Sequence, residues 1–165
     1  IKQIGNPSEQ GLSRIGRKVA FRLRMKYENQ MPAEIFKAGA YLRPVHRWLA
    51  RNGVVMIAGD GTGTARTIGK QQVSQMFGYS MMFPQGPARL SLSTGAPLLP
   101  LFILPDSCGT FRVIIEPPLH TGVTCGDPVA GLTEAFVKRL VHHIASYPGY
   151  LHFLDRFHKG GPIVL

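Results

Sequence analysis

Apolar residues recur along the chain in two periods, one typical of helices and one typical of strands. The longest helical pattern covers residues 129–147, and a second one, rich in cations, covers residues 14–26. Shorter helices are predicted at residues 44–52, with Gly53 as the stop, and at residues 86–94. A further short helix is expected to begin at Met31-Pro32, because proline is favoured in a first helical turn.

Four segments have the pattern of strands. Residues 54–58 form a short, continuous apolar run that predicts a buried strand, and residues 70–77, 97–104 and 110–116 are the other candidates. Pro100 makes the third of them an edge strand or a kinked one. Strands that alternate with helices predict an α/β fold with a largely parallel central sheet flanked by helices. A length of 165 residues favours a single domain covering residues 1–165.

Positive charge is concentrated near the beginning of the chain. Residues 1–52 carry 11 Lys or Arg against 3 Glu, a net charge of +8 out of +10 for the whole chain. Cations and apolar residues interleave in residues 12–27, which predicts a basic amphipathic helix at an interface. The alternative is a surface helix whose apolar stripe faces the core. This basic, helical N-terminal third indicates a polyanionic partner: nucleic acid, anionic lipid or an acidic carrier.

A glycine-rich loop follows the apolar run and begins with an acid. Residues 59–63 read Gly-Asp-Gly-Thr-Gly, so Asp60 stands at the end of the predicted strand, where α/β folds commonly place their sites. The loop matches neither a phosphate-binding Walker loop nor a dinucleotide fingerprint. A solvated turn is the simpler alternative.

Other common chemistries have little support. The chain contains no Gly-x-Ser-x-Gly motif, and its two cysteines lack the spacing of a zinc site. His142, His143 and His152 are interpreted as titrating surface imidazoles. No apolar run approaches the length of about 20 residues needed to span a bilayer. We therefore expect no metal and no bound cofactor.

A collinear set of segments carries a family resemblance. The set comprises Gly59-Asp60-Gly61, Met76-Phe77-Gly78, residues 85–102, residues 111–119 and residues 147–157. Together they cover roughly residues 42–160 and resemble the bacterial lipid A biosynthesis (late) acyltransferases of the lysophospholipid acyltransferase superfamily. The resemblance implies an acyltransferase-like α/β domain, here incomplete, that moves a fatty acyl group from acyl carrier protein or coenzyme A to a lipid hydroxyl.

The family's catalytic motif is missing from this sequence. That motif is His-x-x-x-x-Asp/Glu, whose histidine acts as the general base, and none of the six histidines has an acid five positions further on. The economical interpretation is that Ile1 begins just after the motif and that the chain is the downstream part of a larger enzyme. A degenerate, inactive relative is the other explanation.

The resemblance also implies roles for individual residues. Asp60 matches the family's acid before the glycine-rich loop, and Arg24 resembles a functional arginine, with Arg22 as its competitor for that role. A guanidinium there could bind phosphate or stabilise an oxyanion. Four further residues are candidates for substrate binding: Thr62, Thr64, Arg66 and Arg89. Arg89 has an ordinary solvated helix cation as its alternative.

The sequence therefore predicts an acyltransferase-family chain that is inactive alone. The expected donor is an acyl thioester of acyl carrier protein or coenzyme A, and the expected acceptor is a lipid. The basic first third fits an anionic membrane surface, with peripheral attachment at the cytoplasmic face of the bacterial inner membrane. A non-catalytic membrane-associated scaffold and a basic nucleic-acid-binding domain are the alternatives. Nucleic acid is not the expected partner, because the aromatic residues are not arranged as a stacking platform.

Overall fold

Helices separate two pairs of consecutive strands in the described part of the chain. The computed structural model describes residues 13–34, 36, 42–59, 69–106, 108–121 and 126–150. Its elements, in chain order, are α1 (Arg14–Glu28), α2 (Arg43–Leu49), β1 (Gln71–Met76), β2 (Tyr79–Pro84), α3 (Gly86–Thr94), β3 (Leu101–Pro105), β4 (Phe111–Ile115) and α4 (Pro128–Ser146), followed by a 3₁₀ turn at Pro148–Tyr150.

The four strands form two separate antiparallel hairpins. In the first, β1 pairs with β2 from Gln71 opposite Pro84 to Met76 opposite Tyr79. In the second, β3 pairs with β4 from Leu101 opposite Ile115 onwards. The mixture of helices and strands confirms an α/β composition. The largely parallel central sheet is not confirmed, because both pairings within the described residues are antiparallel.

Helix α4 supplies one side of the hydrophobic core. Val137 and Ile144 of α4 pack with Met76, Met81 and Phe83 of the first hairpin, and all five side chains are buried. Met81 and Phe83 are two residues apart in β2, so they point to the same face of the hairpin. The helix begins at an Asp127 cap, whose carboxylate accepts a hydrogen bond from the Val129 N–H at 2.9 Å.

Most predicted helices and strands are present within a few residues of the expected bounds. The expected elements at residues 14–26, 44–52, 70–77, 86–94, 110–116 and 129–147 correspond to α1, α2, β1, α3, β4 and α4. The strand expected at residues 97–104 is shorter, since β3 begins only after Pro100. The Pro100 carbonyl still accepts a hydrogen bond from the Glu116 N–H at 2.9 Å, so the pairing reaches one position past the strand.

The short helix expected at Met31-Pro32 is wrong. Residues 31–33 form bends that follow the end of α1, and the Met31 N–H donates to the Glu28 carbonyl at 3.2 Å. That bond belongs to the closing turn of α1, and Pro32 cannot extend the series because it has no N–H.

The buried strand expected at residues 54–58 is also wrong. This segment forms no strand, and Val54 and Met56 are 89% and 84% exposed. A strand needs a neighbour to satisfy its backbone groups, and no described strand pairs with this segment. An apolar run by itself does not supply that neighbour.

Contacts of Trp48 fix the start of the segment 54–58. Asn52 takes the left-handed conformation after α2, with φ of 59°, in place of the expected stop at Gly53. Gly53 is required for a different reason: a Cβ there would overlap the Trp48 indole ring. The indole Nε1 donates a hydrogen bond to the Val54 carbonyl at 3.2 Å, which ties the segment to α2.

The turn between β1 and β2 places a non-glycine residue, Phe77, in a strained backbone conformation that substitutions can test. Phe77 and Gly78 both have positive φ, 52° and 82°, as a two-residue type I′ turn requires. Asparagine tolerates this conformation better than other non-glycine residues. We expect Phe77→Asn to be more stable than Phe77→Ala by about 1 kcal/mol in urea unfolding, since both remove the ring. Equal stabilities would show that residue 77 does not adopt positive φ in solution.

Candidate functional site

The backbone that leads into the glycine-rich loop lies against α4. A Cβ built on Gly59 would stand 2.6 Å from the Cζ atom of Phe136, closer than real Cβ atoms approach another heavy atom. Glycine at position 59 is therefore needed for this close approach. Because Asp60 is the next residue, the contact fixes where the chain enters the loop that the sequence singles out.

An aromatic column connects this entry point to the second hairpin. The Phe136 ring of α4 lies parallel to the Phe102 ring of β3, with centroids 6.4 Å apart and an interplanar angle of 9°. Phe102 in turn contacts the ring of His143, at 4.2 Å between centroids. We use the name aromatic column for Phe136, Phe102 and His143. It joins α4 to the β3–β4 hairpin through ring packing.

A carboxylate and an imidazole meet at the far end of the aromatic column. The Glu116 Oε1 atom lies 2.7 Å from His143 Nε2, and the two side chains are only 14% and 13% exposed. The other carboxylate oxygen lies 3.3 Å from the Arg139 Nε atom, an ion pair without hydrogen-bond alignment. Glu116 thus holds two residues of α4 at the end of β4.

The interpretation of the histidines as surface groups is confirmed for His142, which is exposed, and wrong for His143, which is packed in the aromatic column. His152 lies outside the described residues. Phe136, Leu140 and His143 are spaced four and three residues apart, so they share one face of a helix. That spacing was the signal that His143 faces inward. Its acid partner Glu116 is 27 residues distant, and no local pattern indicates the pairing.

His143 is poorly placed to act on a substrate. A general base must reach the proton that it removes, and the Nε2 atom of His143 is engaged by Glu116 while its ring packs on Phe102. The contact pattern is that of a buried polar anchor. In the described structure this pair therefore positions α4 on the second hairpin.

The predicted site residues divide into two groups. Asp60, Thr62, Thr64 and Arg66 lie outside the described residues. Arg24 and Arg89 lie within them, on α1 and α3 respectively. Arg22, the competing candidate, is exposed on α1.

Each of the two described arginines has a partner in its own helix or cap. The Arg24 Nε atom lies 2.6 Å from Glu28 Oε1, one helical turn further on. The Arg89 Nη2 atom donates to the Gln85 Oε1 atom at 2.9 Å. Arg89 is exposed, as the alternative of a solvated helix cation requires. A ligand that recruits either guanidinium would compete with these contacts.

Comparison with known protein families assigns the chain to an acyltransferase family. A family model for bacterial lipid A biosynthesis acyltransferases matches residues 16–159, which is most of the chain. The chain belongs to this family, and the resemblance carried by the glycine-rich loop and the segments after it is confirmed.

Relatives of known name match a shorter stretch. The phosphatidylinositol mannoside acyltransferase of Mycolicibacterium smegmatis is 36% identical over 79 residues, which is 48% of this chain and 25% of the relative. The proteins of that name in two strains of Mycobacterium tuberculosis are 37% identical over 79 residues, 48% of this chain and 24% of each relative. The matched stretch thus spans about a quarter of the length of these relatives.

The contact between Gly59 and Phe136 can be tested by a double-mutant cycle. Gly59→Ala is expected to destabilise the chain by about 1–3 kcal/mol, because the added methyl group overlaps the ring. Phe136→Leu removes the ring edge, so the same glycine substitution should cost much less in that background. The measurement is urea unfolding of the four proteins. Additive effects would place Gly59 away from Phe136.

Proposed function

We propose that this chain takes part in transferring a fatty acyl group from a thioester donor to a lipid hydroxyl at an anionic membrane surface. Family membership supports the acyl-transfer chemistry, and the name of the mycobacterial relatives gives a lipid as the acceptor in those proteins. The donor is proposed to be acyl carrier protein or coenzyme A carrying the acyl group. The observation that carries the membrane part of the proposal is the surface of α1.

Two parallel ridges run along α1. Residues four apart in a helix follow one another along its surface, and α1 has two such series side by side. The first, the cationic ridge, consists of Arg14, Lys18, Arg22 and Lys26, all exposed. The second, the apolar ridge, consists of Ile15, Val19, Leu23 and Tyr27. Ile15 and Tyr27 are 76% and 64% exposed, so this ridge is not buried in a described core.

Adjacent apolar and cationic ridges suit the interface of an anionic bilayer. The apolar side chains can enter the acyl boundary while the cations remain at the headgroups. Glu28, the single acid in α1, is buried and paired with Arg24, so it leaves the cationic ridge uncompensated. No helix within the described residues is long and apolar enough to cross a membrane. Peripheral attachment at the cytoplasmic face of the inner membrane is the arrangement that we propose.

Within this proposal the site residues keep the roles that the resemblance implies. Asp60 holds the active-site geometry, and Arg24 stabilises negative charge on the donor or on the oxyanion. Substrate contacts are assigned to Thr62, Thr64, Arg66 and Arg89. None of the chain's six histidines serves as the base that activates the acceptor hydroxyl, because none belongs to a His-x-x-x-x-Asp/Glu motif. The engagement of His143 with Glu116 supports this assignment.

We also propose that the second hairpin belongs to a larger, mostly parallel sheet in the active protein. One face of this hairpin is apolar and exposed, with side chains from both strands: Leu101, Ile103, Phe111, Val113 and Ile115. The contact of Gly59 with Phe136, which stacks on Phe102, brings the end of segment 54–59 towards the same hairpin. A further element packed on the apolar face would remove it from water.

Membrane binding is tested by sedimentation with vesicles of phosphatidylcholine, with and without phosphatidylglycerol. Lys18→Gln/Arg22→Gln is expected to weaken binding to the anionic vesicles about tenfold or more, since each cation contributes about 1 kcal/mol near such a surface. Val19→Ser/Leu23→Ser should weaken it comparably by removing apolar contacts.

The matched control is Lys70→Gln/Arg112→Gln, which removes the same charge from exposed positions outside α1. It should bind vesicles like the unmodified chain. An equal loss of vesicle binding in this control would show that the effect depends on net charge alone. Salt-dependent binding to oligonucleotides without a preference for anionic vesicles would favour a nucleic-acid-binding function.

The chemistry is tested with the purified 165-residue chain, an acyl thioester donor and a lysolipid acceptor. We expect no acyl transfer above background, because the sequence lacks the base motif. A non-reactive thioether analogue of acyl-coenzyme A, titrated calorimetrically, separates failed binding from failed chemistry. Arg66→Gln should weaken binding of this analogue, whereas Arg112→Gln should not. Robust turnover would mean that the base is one of the six histidines.

A further inference from the structure

A cleft of about 430 Å³ opens between α4 and the segment that follows β4. Leu119 and His120 form one wall, and Lys138, Arg139 and His142 of α4 form the other. The three α4 residues are separated by one and three positions, so they share one face of the helix. The cleft gathers donors from two parts of the chain that are distant in sequence.

The charge of the cleft is of one sign. None of the described residues that line it is acidic, whereas Lys138 and Arg139 carry full positive charges and two further lining residues are histidines. Glu134 lies on α4 but does not line the cleft. Glu116 is the acid nearest to the site by contact, and it is already shared between Arg139 and His143.

Arg139 contacts Glu116 through only one of its three guanidinium nitrogens. Its ion pair with Glu116 uses the Nε atom, so the two terminal Nη groups are the donors that a molecule in the cleft would meet. A guanidinium presents its donors as a rigid fork that matches a phosphate in two places, and a lysine adds a compact point charge. His142 is exposed beside them and can donate a third kind of hydrogen bond.

We propose that this cleft binds a phosphate monoester through Lys138, Arg139 and His142. Its volume accommodates the phosphate together with a glycerol or sugar unit, and Leu119 and Ala135 offer apolar contact to the rest of the ligand. The phosphate belongs to a soluble phosphate ester or to a lipid headgroup, which share this chemistry. The inference holds whether or not the chain takes part in acyl transfer.

Calorimetric titration of the 165-residue chain with glycerol 3-phosphate tests the proposal. Lys138→Gln/His142→Gln is expected to weaken binding about tenfold or more, because charged hydrogen bonds to the phosphate are lost. Arg139 is left unchanged, since it also contacts Glu116. Thermal unfolding of the variant, whose two positions are exposed, should match that of the unmodified chain.

Lys70→Gln/Arg112→Gln is the charge control, and it should bind glycerol 3-phosphate normally. Equal weakening in both variants would overturn the proposal, because the effect would then follow net charge. The absence of measurable binding to the unmodified chain would overturn it as well. Binding of an acidic carrier protein that is lost in Lys138→Gln/His142→Gln, with no binding of glycerol 3-phosphate, would assign the cleft to a protein partner instead.

A vesicle experiment distinguishes the two sources of phosphate. It uses Val19→Ser/Leu23→Ser as background, so that α1 contributes less, and compares phosphatidylcholine vesicles with and without phosphatidic acid. If adding Lys138→Gln/His142→Gln to this background further weakens binding to the vesicles that contain phosphatidic acid, the site is assigned to a lipid headgroup. No additional loss, together with normal binding of glycerol 3-phosphate in this background, assigns it to a soluble ester. If α1 does not bind membranes, the outcome of the titration with glycerol 3-phosphate is unaffected and still tests the cleft.

Discussion

The packing of α4 against two separate hairpins is the constraint on which the described structure depends. Its Val137 and Ile144 side chains close the core of the first hairpin, while Phe136 and His143 reach the second. The two hairpins share no strand pairing, so α4 is the element that relates them. Burial of large side chains on both sides of one helix accounts for this, because each hairpin alone has too little apolar surface to be stable.

The pair of Glu116 and His143 extends this constraint from apolar to polar contacts. A buried carboxylate is costly unless it is paired, and this one has an imidazole at 2.7 Å and a guanidinium at 3.3 Å. The same carboxylate that anchors α4 therefore also orients Arg139 at the edge of the basic cleft. We propose that Glu116 thus serves both the packing of α4 and the recognition of a ligand. No sequence motif marks this residue.

The proposed function assigns its substrate and membrane contacts mainly to the glycine-rich loop and to α1. Gly59 brings the chain to the point where Asp60 follows, through a contact that any side chain would prevent. Helix α1 contributes a long surface on which apolar and cationic residues are both exposed. In this proposal the donor, the acceptor and the membrane meet next to the two hairpins that α4 holds together. Family membership gives this arrangement its chemical context.

The sequence by itself determined the helices α1, α3 and α4, the approximate positions of β1, β3 and β4, and the family, but it did not predict β2. These features follow from local periodicity, helix caps and short motifs, which can be recognised in the sequence alone. It could not determine that residues 54–58 stay unpaired in the described structure, because a strand is completed only by a partner elsewhere. Nor could it place His143 against Glu116, or Phe136 against Gly59. Those contacts join residues that are distant in the sequence, so only the tertiary structure decided them.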